Sequence, residues 1–357
     1  MSLLGYVLRR CALAVGLLFA LVTITFWIDQ AIPYDPGMYL LQGIQQPSDE
    51  QLAEANRLLG VDKPATAQYV DFLKRLAVGD LGISWETVER DREQGIVAEE
   101  VGPMVLRAAG VTGSLVLGGG LLLLLIAIPG GVWLAARAGS LADHAALLVA
   151  LAALSTHPLV LGNLLQLFFG ERLGWVPSES YCPLLTRTEE EISFTGLMES
   201  CGGPVDWASH LILPWITFAA LLVALHLRQM RSSAMGILAQ PYVQAARSKG
   251  VPERGVMRGH VMPNALPPVV AGLAADVGAI LGVALYVEVT FGLEGLGYVF
   301  LRAVEGSVGF DRPVIIGVIL VVGITVVLAN LIADLAIAAL DPRVRLQERG
   351  DLLGSAD

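Results

Sequence analysis

The chain has 357 residues, of which 55% are hydrophobic and only 16% are charged, and its formal net charge is -10. A soluble domain of this length would carry about 25% charged residues, so the composition excludes an ordinary soluble protein. Apolar runs of about 20 residues, long enough to cross a bilayer, recur along the sequence. These runs are continuous rather than alternating, which favours helices over the strands of a membrane barrel. The sequence therefore predicts an all-α polytopic membrane protein.

The hydropathy pattern predicts six transmembrane helices, at approximately 8–28, 111–136, 145–169, 211–227, 266–289 and 313–340. No small-residue cleavage site follows the first, so we interpret it as an uncleaved anchor and not as a signal peptide. In the third span, His157 and Pro158 predict a kink with local hydrogen bonding. The glycines at 118–120 and 130–131 predict close helix packing.

The Lys and Arg residues predict the orientation, because such residues near spans stay in the cytoplasm. With a cytoplasmic amino terminus, the basic segment 229–264 and the tail with Arg343 and Arg345 are also cytoplasmic. The segments left outside, 33–103 and 170–206, are acidic. We therefore predict a multi-pass protein of the cell membrane with both termini in the cytoplasm.

Three parts follow from this topology. They are an anchor helix at 1–32, an extracytoplasmic helical insert at 33–104, and a core domain at 105–357 that contains a cytoplasmic loop at 229–264 and an extracytoplasmic loop at 170–210. In the insert, Ser48 and Gln51 form a capping-box pattern for a helix that stops at Gly60. Pro64 predicts the start of a second helix. The charged run 86–93 is typical of a solvated surface.

The basic segment is the most informative stretch. Tyr242, Ala245, Ala246 and Lys249 would share one helical face, where the two alanines permit the close approach of another protein. Gly250 is suited to end this helix, and Pro252 can start a second helix in a new direction. The alternative interpretation is an amphipathic loop that lies on anionic headgroups.

The sequence contains few patterns that point to chemistry. It has no G-x-x-x-x-G-K-[ST] phosphate loop, no Cys/His cluster with metal spacing and no G-x-S-x-G elbow. The acidic balance comes from the external loops and gives no indication of nucleic-acid binding. We therefore expect no catalytic residue, cofactor or metal in this chain.

Three acids, Asp276, Glu288 and Asp334, lie in or at the ends of apolar spans. They could line or gate a translocation path. Alternatively, Glu288 reaches to an interface, and Asp276 and Asp334 pair or hydrogen-bond between helices. Cys182 and Cys201 share the external loop, where they could form a disulfide or remain two free thiols.

Seven short motifs in the right order resemble the inner-membrane permease of the dipeptide/oligopeptide/nickel class of ABC transporters, in its first (B-type) form. They lie at 79–82, 135–143, 155–158, 173–178, 210–214, 287–297 and 341–345. The segment 242–263 is similar to the EAA motif of that family. Gln244, Ala245 and Ala246 stand where the family has Glu-Ala-Ala, Gly250 has the expected spacing, and Pro263 ends the motif.

The resemblance implies a type I ABC importer permease fold and half of a pore for peptides or similar small solutes. It implies a second homologous permease in a heterodimer, two ATP-binding cassette subunits that bind ATP and Mg, and an extracytoplasmic substrate-binding protein. The ATPases would dock on the segment around Tyr242, Gln244, Ala245, Ala246, Arg247, Lys249, Gly250 and Pro263.

Two other functions remain open at this point. An ion-coupled secondary transporter would need its own ion site within the membrane, for which Asp276 and Asp334 are candidates. A non-transporting receptor or scaffold would use the insert at 33–104 to bind an external ligand.

Overall fold

The computed structural model describes residues 3–31, 35–41, 47–87, 89–91, 95–177, 180–185, 188–191, 198–306 and 310–340. The helices of its first half are α1 (Leu3–Gln30), a 3-10 turn (Pro36–Leu41), α2 (Asp49–Leu59), α3 (Ala65–Ala77), α4 (Val101–Ala135), α5 (Leu141–Ser155), α6 (Pro158–Leu165) and a π segment (Gln166–Arg172). Those of the second half are α7 (Pro204–Leu238), α8 (Pro241–Ser248), α9 (Glu253–Val256), a π segment (Met257–Val261), α10 (Met262–Ala275), α11 (Val277–Phe291), α12 (Leu296–Val304) and α13 (Arg312–Leu340).

Two antiparallel hairpins accompany the helices. Strands β1 (Glu89–Asp91) and β2 (Gly95–Val97) pair with Arg90 opposite Ile96. Strands β3 (Thr188–Glu191) and β4 (Met198–Cys201) pair with Thr188 opposite Cys201. The predicted all-α class is confirmed for the body of the protein. Strand β1 lies within the charged run 86–93, which the sequence indicated only as solvated surface, and β2 follows that run.

Among the described residues, the structure gives candidates for five of the six predicted spans, if each bent pair of helices counts as one span. Among the described residues, α4, α7 and the part of α13 at 312–333 are each long and apolar enough to cross a membrane. Two further candidates are bent pairs, α5 with α6 and its π segment (104°), and residues 253–275 with α11 (61°). The described apolar part of α1, Val15–Ile28, is shorter.

Several predicted boundaries and shapes differ from the structure. The third and fifth spans are bent rather than straight, and the first bend falls at the predicted His157–Pro158 kink. His157 caps α6 there, where its Nδ1 accepts the Leu159 N–H at 3.3 Å. Helix α7 is also longer than predicted. Residues 204–210 and 229–238 are helical, whereas the sequence predicts that they belong to loops. Hydropathy ends at the first polar residues, whereas backbone hydrogen bonding continues beyond them.

The contacts divide the chain into two compact units, Met1–Thr112 with Glu294–Val327 (unit 1) and Gly113–Leu293 with Leu328–Asp357 (unit 2). In unit 1, the predicted capping box is present: the Ser48 hydroxyl accepts the Gln51 N–H, and the Gln51 side chain accepts the Ser48 N–H. Helix α2 ends at Gly60 with a left-handed φ of 71°, and α3 begins after Pro64, as predicted.

The core of unit 1 is formed where the first turns of α4 meet α12 and the start of α13, with Val101, Val105, Ala108, Leu296, Ala303, Val314 and Val318 buried. A second cluster places Phe26 of α1 against α3, with its ring stacked on Phe72 at 5.5 Å.

In unit 2, α4 packs closely on α7 through its glycines. A Cβ at Gly118 would lie 2.1 Å from the Trp215 ring, and one at Gly131 would lie 2.7 Å from Met230 Cβ. Such distances leave no room for a side chain, so the predicted role of these glycines in helix packing is confirmed.

Candidate functional site: a helix-break-helix segment

The segment 241–261, here called the docking segment, consists of α8, a break, α9 and a π turn. Pro241 occupies the first turn of α8, where its missing N–H costs no hydrogen bond. The break is at Gly250, whose φ is 79°, and α9 begins after Pro252. A Cβ at Gly250 would meet nothing within 4 Å, so the need for glycine there is conformational and not steric. The predicted end of one helix before Gly250 and start of a second after Pro252 are therefore present.

One face of the docking segment packs on the chain itself. Val243, Val256 and Val261 are buried in a cluster with Val132, Ala135, Met230, Ala234, Ala265 and Val269. Ala246 is also buried. These partners come from the end of α4, the end of α7 and the start of α10, which together support the segment. The expectation that Ala246 shares an exposed face with Tyr242, Ala245 and Lys249 is wrong, because Ala246 follows Val243 by one turn and turns inward with it.

The other face is open to solvent. Tyr242 is 44% exposed, and Gln244, Ala245, Arg247 and Lys249 are exposed beside it. The surface therefore consists of an aromatic ring, a small residue and two basic side chains. Pro263 is also exposed, but it lies beyond the π turn in the first turn of α10.

A salt bridge spans the break. The Arg247 guanidinium donates from Nε and Nη2 to the two carboxylate oxygens of Glu253, at 3.1 and 2.6 Å. Both side chains are about half exposed, so the pair adds little stability by itself. Its two contacts link the last turn of α8 to the start of α9.

A buried ion pair holds the support of the docking segment, and sequence reasoning missed it. Asp143 lies in the first turn of α5, where the Ser140 hydroxyl caps the helix. Its carboxylate accepts hydrogen bonds from Arg231 Nε and Nη2, both at 2.6 Å, and from the Gly139 N–H at 2.9 Å. Two features of the sequence could have indicated this pair: Arg231 in a largely apolar helix, and Asp143 at the end of the 135–143 motif. Their separation of 88 residues hides the pairing.

Polar contacts also join α7 to α10. The Gln229 amide donates to the Pro268 carbonyl at 2.8 Å, and the Ser233 hydroxyl donates to the Ala265 carbonyl at 3.0 Å. A Cβ at Gly272 would lie 2.6 Å from the Gln229 side chain. The helix that follows the docking segment is thus held firmly against α7.

The predicted intramembrane acids occupy different environments. Asp276 lies at the bend between α10 and α11, and its carboxylate is 3.8 Å from Nε2 of the buried His226. This residue thus lies within ion-pair distance of another helix. Glu288 is fully buried in α11 and does not reach an interface. The side chain of Asp334 lies outside the described part of α13.

Cys182 and Cys201 are joined by a disulfide, with their Cα atoms 5.5 Å apart. Cys201 is the last residue of β4, and Cys182 is buried near His210, whose Nε2 is 3.6 Å from its sulfur. Within the described part of the chain, no group of three or more His, Cys, Asp or Glu residues could hold a metal ion.

Comparison with known proteins identifies the family. The family described as binding-protein-dependent transport system inner membrane component matches residues 127–346. A second family, described as the N-terminal part of such membrane components, matches residues 3–87. The chain belongs to this family of ABC importer permease subunits.

Full-length relatives agree with this assignment. A putative peptide permease of Brucella ovis is 33% identical over 96% of this chain and 100% of its own length. The di/tripeptide transport system permease DppB of Pseudomonas aeruginosa is 32% identical over 97% of this chain and 100% of its own. The dipeptide transport system permease DppB of Escherichia coli is 29% identical over 96% and 99%. The protein is thus a multi-pass permease subunit with the importer fold that the seven motifs indicated.

Proposed function

We propose that this chain forms half of the pore of an ATP-driven importer of short peptides, and that the docking segment is where an ATPase subunit binds. The observation that carries the docking role is the contrast between the two faces of α8. Val243 and Ala246 are buried in the chain's own core, while Tyr242, Ala245 and Lys249 are exposed. The peptide cargo is supported by the relatives, which are named as peptide permeases.

The support beneath α8 suits it to transmit force. A push on the exposed face passes through Val243 to the ends of α4, α7 and α10. The Asp143–Arg231 pair ties the start of α5 to α7, so that these helices move with the same support. The salt bridge between Arg247 and Glu253 keeps α8 and α9 from hinging independently at Gly250.

The remaining parts of the importer are separate chains. A second, homologous permease would complete the pore as a heterodimer, two ATP-binding cassette subunits would bind ATP and Mg, and a substrate-binding protein would deliver cargo from outside. In this proposal the present chain holds no cofactor and carries out no hydrolysis. Both termini and the docking segment are cytoplasmic, and the disulfide-bonded hairpin is extracytoplasmic.

The intramembrane acids are the candidates for contact with the cargo. Asp276 is the strongest, because its side chain is 42% exposed at a bend within a span. Broken helices with ionisable groups are typical of substrate paths in transporters. Glu288 and Asp334 complete the proposed set of pore-lining or gating residues.

Ala245 and Ala246 are adjacent, but the first is exposed and the second is buried, so matched substitutions at the two positions test ATPase docking. Ala245→Asp places a charge on the exposed face and should leave folding unchanged. We expect ATPase subunits to co-purify poorly with this variant, and ATP-dependent uptake of a labelled dipeptide into proteoliposomes to fall at least about 10-fold. Ala246→Asp places the same charge in the core, so it should lower the thermal stability of the permease itself.

Two controls sharpen this test. Gln244→Glu restores the residue that the related motif carries and should be tolerated. Gly250→Val forces a β-branched residue into a left-handed conformation and should impair coupling through the break. Normal assembly and an unmodified transport rate in both Ala245→Asp and Gly250→Val would exclude the docking role. Failure of the unmodified assembly to take up any di- or tripeptide would exclude the cargo alone.

A further inference from the structure

Unit 1 contains a cavity of about 510 Å³ that the proposed transport function does not use. Its walls come from the end of α1, the end of α2 with the loop that follows it, α3, the segment before β1 and the start of α13. Phe26, Pro313 and Ile316 contribute from the two spans, and Phe72 and Arg75 contribute from α3.

The charged residues that line this cavity are mostly basic. Among the described residues they are Lys63, Lys74, Arg75 and Arg312, with Asp71 as the acid. The Asp71 carboxylate accepts a hydrogen bond from Lys63 Nζ at 2.7 Å, so these two charges offset each other. Lys74 and Arg75 are consecutive in the last turns of α3, and both are exposed. The cavity therefore favours an anionic ligand.

Arg312 lies deeper than the other cations and is only 9% exposed. Its guanidinium carbon is 5.6 Å from the centre of the Phe26 ring and 5.3 Å from the centre of the Trp85 ring. Its Nη1 donates to Gln68 Oε1 at 3.3 Å. These contacts fix its charge at the inner end of the cavity, between aromatic faces.

The rest of the wall is apolar, and the 79–82 motif helps to build it. Gly79 and Gly82 have left-handed φ values of 79° and 86°, and the Asp80 carboxylate accepts the Gly82 N–H at 2.8 Å. This turn places Leu81 between the cavity and the core around Val101. Phe72, Leu81, Ile83 and Ile316 contribute apolar lining to the cavity.

The position along the spans puts the cavity at the membrane surface. The apolar part of α1 ends at Ile28, two residues after Phe26, and the span in α13 begins at Arg312. The Trp27 and Tyr69 rings lie 5.9 Å apart, and Trp85 lines the cavity itself. Aromatic rings of this kind concentrate at the boundary between hydrocarbon and water. A ligand in the cavity would therefore have one end in the headgroup region and the other in contact with acyl chains.

We propose that this cavity is a binding site for an anionic phospholipid of the surrounding membrane. The phosphate would lie between Lys74 and Arg75 at the mouth, and an acyl chain would lie along Phe72, Leu81 and Ile83. A small anion would satisfy the cations but leave the apolar wall exposed. An amphiphile covers both, which is why the geometry favours a lipid over free phosphate. This site is independent of the peptide cargo and of ATPase docking.

Native mass spectrometry of the purified full-length permease assembly tests the site. The probes are phosphatidylglycerol, phosphatidylcholine with the same acyl chains, and inorganic phosphate. We expect one phosphatidylglycerol per permease to survive delipidation and to bind more tightly than phosphatidylcholine. Lys74→Gln with Arg75→Gln should weaken that binding about 10- to 30-fold, since each cation near a membrane surface contributes about a factor of 5.

Matched variants separate the site from general charge. Arg57→Gln with Arg302→Gln removes two exposed cations of unit 1 that do not line the cavity and should leave binding unchanged. Lys74→Arg with Arg75→Lys preserves both charges and should also bind normally. Equal binding of the two lipids, an equal loss in the control pair, or displacement of the lipid by millimolar inorganic phosphate would overturn the proposal.

Discussion

Two buried aspartates, one in each unit, are held by different kinds of partners. Asp143 in unit 2 is 1% exposed, and the Arg231 guanidinium donates two hydrogen bonds to its carboxylate. Asp311 in unit 1 is equally buried, but its donors among the described residues are neutral. The Ser84 hydroxyl donates at 2.6 Å and the Glu86 N–H at 3.0 Å.

The difference shows what each arrangement requires. A buried charge that is paired with another charge becomes very unfavourable when the partner is removed, because the remaining ion stays in a low-dielectric environment. A carboxyl group that is held by hydroxyl and backbone dipoles depends on the geometry of a loop. The first arrangement fixes two helices to each other, and the second fixes the loop at 84–86 to the start of α13.

The largest loss of stability should come from removing the guanidinium of Arg231, the partner of Asp143. We expect Arg231→Met to lower the free energy of unfolding more than the other changes below, measured as thermal or denaturant unfolding of the purified permease. Asp143→Leu combined with Arg231→Met should recover most of this loss, because no unpaired charge remains. Arg228→Met removes an exposed Arg of the same helix and should have little effect. A double variant as unstable as the single one would contradict this account.

The second-largest loss of stability should come from Asp311→Ala. This change leaves the Ser84 hydroxyl and the backbone N–H groups of Glu86 and Val314 without their acceptor. We expect a loss of about 2–3 kcal/mol in the same measurement. Asp80→Ala, in an exposed turn nearby, should cost less. An Asp311 variant that unfolds like the unmodified protein would show that the loop is held by other contacts.

The pH dependence of Asp311 gives a further check. Burial raises the pKa of this carboxyl above its ordinary value of 3.8, although the hydrogen bonds from Ser84 and from backbone N–H groups oppose that rise. The folded state therefore holds the proton more tightly than the unfolded chain does. The contribution of Asp311 to stability is fully present below the unfolded pKa and is lost as the pH rises through the folded pKa. The stability of the unmodified protein relative to Asp311→Asn should accordingly decrease with pH above about 4.

The smallest effect should come from Ser84→Ala, which removes one donor and leaves the carboxyl with its backbone donors. We expect a loss of about 1–2 kcal/mol, less than for Asp311→Ala. The two changes share one interaction, so Ser84→Ala should have almost no effect in an Asp311→Ala background. Additive losses in a double-mutant cycle would mean that the two groups do not act together.

The parts of the fold that depend on local patterns were predictable from the sequence. The apolar runs gave the candidate spans, Ser48 and Gln51 gave the capped start of α2, and His157–Pro158 gave the 104° bend. Gly250 and Pro252 gave the break in the docking segment. Each of these signals acts over a few residues, through hydrogen bonding or allowed backbone angles, so neighbouring sequence is enough to detect it.

The parts that depend on contacts distant in the sequence were not predictable. Asp143 and Arg231 are 88 residues apart, and Ser84 and Asp311 are 227 residues apart. The inward face of α8 is set by Val243, which packs in the core formed by α4, α7 and α10, because the pattern of α8 alone allows either face. Ala246 is buried one turn after it. The bend between α10 and α11 was also not predictable, since hydropathy records the length of an apolar run and not its direction.

The disulfide between Cys182 and Cys201 can be used to count membrane crossings. Such a bond persists in an oxidising compartment, and it lies three residues before α7. Helix α7 has 35 residues and is about 52 Å long, which exceeds the full bilayer thickness of about 40–45 Å and allows one crossing. An odd number of crossings between the hairpin and α8 would put them on opposite sides, so an oxidised Cys182–Cys201 bond found in cells would support the proposed cytoplasmic position of the docking segment.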